Sequence, residues 1–170
     1  MICSPKLSKF IHSLNDRLPM ANPKLTKLEL IARELQEIAS SEIWRPKFGH
    51  STKGMLEEIC VSSDCGPSLY FVSEVPGAID VPHEHLTWTV IIGIEGSMEN
   101  ILYEVADREK RQIRELSRQI IYPGDIVILD VDAVHAINVA GEKMASCLNL
   151  YGSPIVSRPP FSARCYTELS

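Results

Sequence analysis

The sequence predicts an all-β domain behind a helical N-terminal cap, and three observations carry that prediction. Short apolar runs, split by Gly, Pro, Asn and Asp, fill the chain after residue 55, at 56–62, 68–75, 87–95, 97–106, 119–122, 125–130, 134–139 and 144–151. Gly77, Gly96, Gly124 and Gly141 stand at the breaks between runs. Upstream of Trp44-Arg45-Pro46 the texture differs, because Leu28, Ile31, Leu35 and Ile38 recur at steps of three or four, the helical period.

The elements follow in order. Residues 6–18 read as a short helix ended by Pro19. Leu25 to Ala39 reads as a longer one, with Pro23 ahead of it and Ser40-Ser41 behind. These form a cap over residues 1–45. Residues 50–152 then form a β-sandwich or barrel, and a Pro-rich tail with Pro154, Pro159 and Pro160 closes the chain over 153–170. No repeat of fixed period and no low-complexity tract interrupts this single domain. The basic residues Arg108, Lys110, Arg111, Arg114 and Arg118 alternate with Glu109 and Glu115, which reads as a solvated hairpin or loop rather than a binding patch.

Composition narrows the function classes. The chain has 170 residues, enough for one core, with 45% apolar and 23% charged residues. A net charge of −5 gives no reason to expect a nucleic-acid surface, and no helix pair suggests a fused DNA-binding regulator. No apolar run approaches the ~20 residues of a membrane helix, and Met1 to Phe10 lacks the core of a signal peptide. Five cysteines without paired spacing (Cys3, Cys60, Cys65, Cys147, Cys165) point to reduced thiols and a cytoplasmic location.

Chemistry enters with the histidines. His83 and His85 flank Glu84, and on a strand that spacing turns both imidazoles to one face and Glu84 to the other. His135 follows behind the Pro123-Gly124-Asp125 turn and reads as ending a second apolar strand. The three form one candidate metal tripod. Imidazole suits iron, zinc, copper or nickel. Glu84 reads as a surface or supporting carboxylate rather than a base. His12 and His50 lie outside the β-framework and take no role.

Gly77, His83-x-His85 and Gly96 resemble the first motif of the cupin superfamily. Pro123-Gly124-Asp125, His135 and Asn138 resemble the second. The resemblance implies a double-stranded β-helix, or jelly-roll barrel, with a metal in its mouth. The usual Glu ligand after the second His is absent, since Thr89 and Val90 stand there, which leaves a three-His site. Within the cupins that pattern is similar to the thiol dioxygenases, cysteine dioxygenase and its bacterial mercaptopropionate relatives. Pro82-His83-Glu84-His85-Leu86-Thr87-Trp88, the run Ile91 to Gly96, Trp44-Arg45-Pro46 and Cys147-Leu148-Asn149-Leu150-Tyr151 extend the similarity over roughly residues 25 to 160.

The resemblance implies an Fe(2+)-dependent oxidoreductase that adds both atoms of dioxygen to the sulfur of a small thiol, giving a sulfinate. Tyr151 matches the family's catalytic tyrosine, whose phenol serves as hydrogen-bond or proton donor. Cys147 and Asn149 replace the family's Ser and His, and Val90 its crosslinking cysteine. Where cysteine dioxygenase carries an Arg for the substrate carboxylate, this sequence has Glu57, with Glu58 adjacent. A carboxylate pairs with an ammonium group, so an aminothiol such as cysteamine is the expected substrate.

Candidate substrate contacts are therefore Glu57, Glu58, Cys147, Asn149 and Trp88, although a plain core position competes for Cys147 and Trp88, and strand-face charge for the two glutamates. The expected partners are a thiol and dioxygen, with no nucleic acid and no membrane, and a homo-oligomer stays open. So do bound zinc or nickel in place of iron, a carbon–carbon-cleaving three-His cupin dioxygenase, and a metal-holding cupin without catalysis.

Overall fold

Helix α1 (Pro5–Arg17) starts at Ser4, whose hydroxyl accepts from the Leu7 N–H at 3.2 Å, with Pro in the first turn. That cap satisfies one of the donors every helix start leaves free. The structure, a computed structural model, describes residues 3–18, 23–41, 54–63, 65–139, 141–155 and 164–169. Trp44, Arg45, Pro46, His50, Pro159 and Pro160 lie outside the described residues.

Helix α1 buries Leu7, Phe10, Ile11 and Leu14. Helix α2 (Leu25–Ser41) buries Leu28, Ile31, Ala32, Leu35, Ile38 and Ala39, the stripe that its three-four periodicity predicts. Both stripes pack on Ile59, Leu69, Phe71, Trp88, Val90, Ile92, Leu148 and Leu150 from the strands. A surface helix gains most of its stability from such burial rather than from propensity.

Two sheets form the barrel. The first holds, in order, β1 (Met55–Val61), β2 (Ser68–Glu74), β9 (Ala145–Tyr151), β4 (Thr89–Glu95) and β7 (Ile126–Leu129). The second runs β10 (Arg164–Cys165), β3 (His83–Glu84), β8 (Val134–Asn138), β5 (Met98–Asp107), β6 (Gln112–Ile121) and β11 (Thr167–Glu168). The helices cover the outer face of the first sheet. Leu148 and Leu150 of β9 point at them, while Cys147, Asn149 and Tyr151 point into the barrel. At the turn before β7, Gly124 takes φ 90°, a left-handed conformation that glycine adopts at little cost.

In the basic segment and at the C-terminus the structure departs from the sequence reading. The basic segment is a hairpin, as read, but its second strand reaches back from 119 to Gln112, because β5 pairs with it as far as Asp107↔Gln112. Strand β6 is exposed from Arg114 to Ile120, so it lacks the apolar run by which a strand is recognised. The C-terminal segment is not only a tail. Strand β10 pairs with β3, Arg164 opposite Glu84, and β11 runs parallel to β6. Among the described residues no helix is long and apolar enough to cross a membrane, and Cys60, Cys65, Cys147 and Cys165 are free thiols.

Candidate metal centre

Strand pairing builds the tripod. β3 and β8 are antiparallel neighbours with His83 directly opposite His135. His135 therefore opens β8, second residue in, rather than ending a strand. His85 lies two residues beyond His83, where the chain leaves β3 and Leu86 turns through a left-handed φ of 58°. That conformation is rare for a bulky side chain and costs free energy.

Each ring is oriented through its Nδ1. His83 Nδ1 donates to the Val81 carbonyl at 2.8 Å. His135 Nδ1 donates to Asn100 Oδ1 at 2.9 Å, and His85 Nδ1 lies 2.8 Å from the Thr89 hydroxyl. A carbonyl oxygen cannot donate, so His83 and His135 carry their protons on Nδ1 and leave Nε2 bare. Those lone pairs meet His85 Nε2 at 3.0 Å and 3.3 Å. A proton on His85 would satisfy only one of the two. A cation satisfies all three.

The spacing fits as well. Ligand nitrogens about 2.1 Å from one ion, at right to tetrahedral angles, lie about 3.0–3.4 Å apart. Among the described residues, His83, His85 and His135 are the one group of metal-binding side chains whose ligand atoms all lie within 4.8 Å of one another. Burial and then the charge of His83 push His85 down to about 3. Burial first, then His85 and His83, holds His135 well below the usual histidine value. Both stay neutral near pH 7, the form that ligates metal.

The tripod opens into a cavity of about 210 Å³, whose lining includes Val72, Ile91, Met98 and Ile137. Tyr151 stands against His85, ring centroids 4.9 Å apart and planes at 89°. Its hydroxyl accepts from Asn149 Nδ2 at 2.9 Å, while the Cys147 thiol donates to Asn149 Oδ1 at 3.2 Å. Burial pushes both the Tyr151 phenol and the Cys147 thiol far up, so each keeps its proton.

Cys147, Asn149 and Tyr151 thus line the cavity. The other candidates do not. Trp88 is 2% exposed and packs in the core beneath the helices, so the competing core reading holds. On β1, Leu56 lines the cavity, so alternation turns Glu57 to the face of Met55 and Ile59, toward the helices. Glu58 shares the face of Leu56 but is exposed, and it accepts from the Tyr70 hydroxyl at 2.8 Å outside the cavity lining.

Two carboxylates that the sequence reading passed over do line the cavity, Glu74 and Asp80. Burial and then Asp80 raise the Glu74 pKa. Burial raises that of Asp80, opposed by His83 and by a hydrogen bond from the Ile137 N–H. Strand parity with Tyr70 and Val72 marks the face of Glu74. Nothing periodic marks Asp80. Asn100, which orients His135, was equally silent, whereas Thr89, beside His85 Nδ1, stands at the place of the absent Glu ligand.

Glu84 sits on the far side of β3, fully buried, 3.3 Å from both Arg108 and Arg164. It is an ion-paired strut, not a surface group.

Two packed, largely antiparallel sheets of this kind also occur in solved structures. A Klebsiella pneumoniae protein with a double-stranded β-helix domain matches at TM-score 0.51 and 12% identity, over 75% of this chain and 88% of that one. The fold is a double-stranded β-helix. Two further matches carry names. A mutant of Bacillus subtilis oxalate decarboxylase OxdC matches at TM-score 0.52 and 18% identity, over 68% of this chain and 29% of its own. An oxalate oxidase in complex with glycolate matches at TM-score 0.49 and 16% identity, over 65% of this chain and 56% of its own. The chain thus spans about half or less of these two. No family model matches the sequence, and no curated protein does.

Proposed function

We propose that the chain is a metal-dependent dioxygenase of small thiols, with iron held by His83, His85 and His135. The supporting observation is the tripod itself: three Nε2 atoms converge on a small cavity, with no carboxylate among them and a tyrosine ring beside them. Ferrous iron there would bring thiolate and dioxygen together and favour the deprotonated sulfur. Overall, R–SH and O2 give R–SO2H. Sulfur loses four electrons, dioxygen gains them, and both oxygen atoms end on sulfur.

The chain's own residues prepare that reaction. Apolar walls exclude bulk water, which strengthens every polar contact inside. Asn149 donates to the Tyr151 oxygen, which leaves the phenol O–H free to donate into the cavity, and among the described residues it has no acceptor. The raised phenol pKa keeps that donor loaded across the neutral range. Cys147 stays a thiol and does not compete with the substrate as a thiolate.

Carbon–carbon chemistry on an anion of the oxalate type is the weaker reading. Glu74 and Asp80 line the cavity and, among its described lining residues, no Lys or Arg offsets them.

The test is metal analysis of untagged protein, followed by oxygen uptake of the ferrous form with cysteamine, cysteine and 3-mercaptopropionate. We expect iron to bind, with one dioxygen consumed per sulfinate formed. Bound iron with no uptake from any of the three thiols would sink the proposal.

A further inference from the structure

We propose that residues 164–169 clamp the metal centre from behind, with Tyr166 as the positioning residue, so that docking of this segment and binding of metal strengthen each other. The inference rests on the reading of His83, His85 and His135 as metal ligands. It adds to that site a part of the chain that lies outside the cavity.

The clamp meets the residues next to the ligands. Strand β3 is only two residues long, so β8 holds it through His83 and Glu84 alone. β10 supplies the other edge, with Cys165 opposite His83 and Arg164 opposite Glu84. The Tyr166 N–H donates to the carbonyl of Pro82, the residue before His83, at 2.8 Å. Arg164 pairs at 3.3 Å with Glu84, which stands between His83 and His85. The buried Tyr166 side chain belongs to an apolar cluster with Ile101, Tyr103, Ile113, Val134 and Ala136. Val134 and Ala136 are the neighbours of His135 on β8. Neighbours on a strand point to opposite faces, so these outward groups are the backs of the strands whose histidines point inward. One short segment therefore reaches the strands of both His83 and His135.

The clamp is itself anchored elsewhere. The Thr167 N–H donates to the Arg111 carbonyl and the Leu169 N–H to the Ile113 carbonyl, both at 2.9 Å, where β11 runs parallel to β6. Residues 164–169 thus tie β3 to the long β5–β6 hairpin as well as to β8. A two-residue strand held on one edge can pivot. Held on both, it keeps His83 Nε2 at the 3.0 Å from His85 Nε2 that a shared ion needs. The docked segment and the metal favour the same arrangement of β3, so each must strengthen the other by the same factor.

The test uses the full chain. Zinc affinity is measured by chelator competition for wild type, Tyr166→Ala and Tyr166→Phe, and amide hydrogen exchange is followed in wild type with and without zinc. Tyr166→Ala should weaken zinc binding about tenfold, which is ~1.4 kcal/mol. Tyr166→Phe keeps the ring in its cluster and should recover most of that loss. By reciprocity zinc should slow exchange at the Tyr166, Thr167 and Leu169 amides by a similar factor, beyond any slowing at Leu18, whose N–H closes α1 on the other sheet. A Tyr166 that only stabilises the fold would lower the melting temperature without that excess. Equal zinc affinity in wild type and folded Tyr166→Ala overturns the clamp. So does zinc that slows the three amides no more than Leu18, a result that needs no variant to fold. Wild type that binds no zinc sinks the metal reading and the clamp with it, whereas failure of the clamp alone leaves the tripod standing.

Discussion

Strands β9 and β6 have opposite surroundings. β9 is buried along its whole length, helices on one side and cavity on the other, whereas β6 stands in water from Arg114 to Ile120. Both are well paired, so the difference lies in what covers them. The first sheet supplies rigidity and a floor for the site. The second carries His83 and His135 at one end and an exposed hairpin at the other. Stability should therefore concentrate in the first sheet and its helices.

Replacing Trp88 with Ala tests this with the largest expected effect. The ring is nearly fully buried beneath the helices, and loss of such a side chain costs about 3–5 kcal/mol. Leu116→Ala on β6, 67% exposed, should stay within about 0.5 kcal/mol of wild type. Urea melts of the two variants decide it. Equal losses would mean that the exposed hairpin is as strongly coupled to the fold as the capped sheet.

The next effect belongs to Glu84. It is buried between Arg108 and Arg164 and so fastens the hairpin and the C-terminal strand to β3, which bears His83. Both arginines are about half exposed and can rehydrate, which limits the loss on Glu84→Gln to about 1–3 kcal/mol. The same variant should weaken zinc binding, because β3 loses its outer support. Zinc affinity at the wild-type level would show that β8 alone holds the histidine strand in place.

Smaller still is the contribution of the groups behind the rings. Thr89→Val and Asn100→Ala remove the Nδ1 partners of His85 and His135. Each should lower metal affinity about 10–100-fold, read by chelator competition at fixed pH, with little change in the melt of the metal-free protein. A loss of stability with unchanged affinity would make them packing residues only.

The same contrast explains what could be read from the sequence. Helix α2 was legible because one face is apolar at the helical period, and β9 because burial on both faces leaves only small and apolar residues beside its three cavity groups. The histidines were legible because two residues apart on a strand fixes a shared face. β6 was legible only as part of a solvated hairpin or loop, since a strand exposed on both faces carries no apolar signal. Glu57 was misplaced for a simpler reason. Alternation by one residue inverts the face, and no feature of Leu56-Glu57-Glu58 says which of the three points inward. Asp80 lies in an irregular segment where face is set by tertiary contacts alone.

Acid sharpens the comparison from the side of the site. Histidine in the unfolded chain titrates near 6.5, whereas His85 is held at about 3 and His135 well below its ordinary value. The folded state therefore binds fewer protons than the unfolded state once pH falls below 6.5. The stability these neutral rings permit is full above that value and is lost on the way down toward about 3, at most ~1.4 kcal/mol per pH unit for each ring. Glu74 and Asp80 act with the opposite sign. Their raised values mean that folding gains as they protonate. Through the histidines the metal-free protein should lose stability between pH 6.5 and 5.5, and His85→Asn should reduce that slope. Zinc opposes the loss by binding only the folded tripod, and its benefit should shrink as protons compete for the same nitrogens. A metal-free protein equally stable at pH 6.5 and 5.5 would mean that the rings take up protons in the fold, and the three Nε2 atoms would then not be bare.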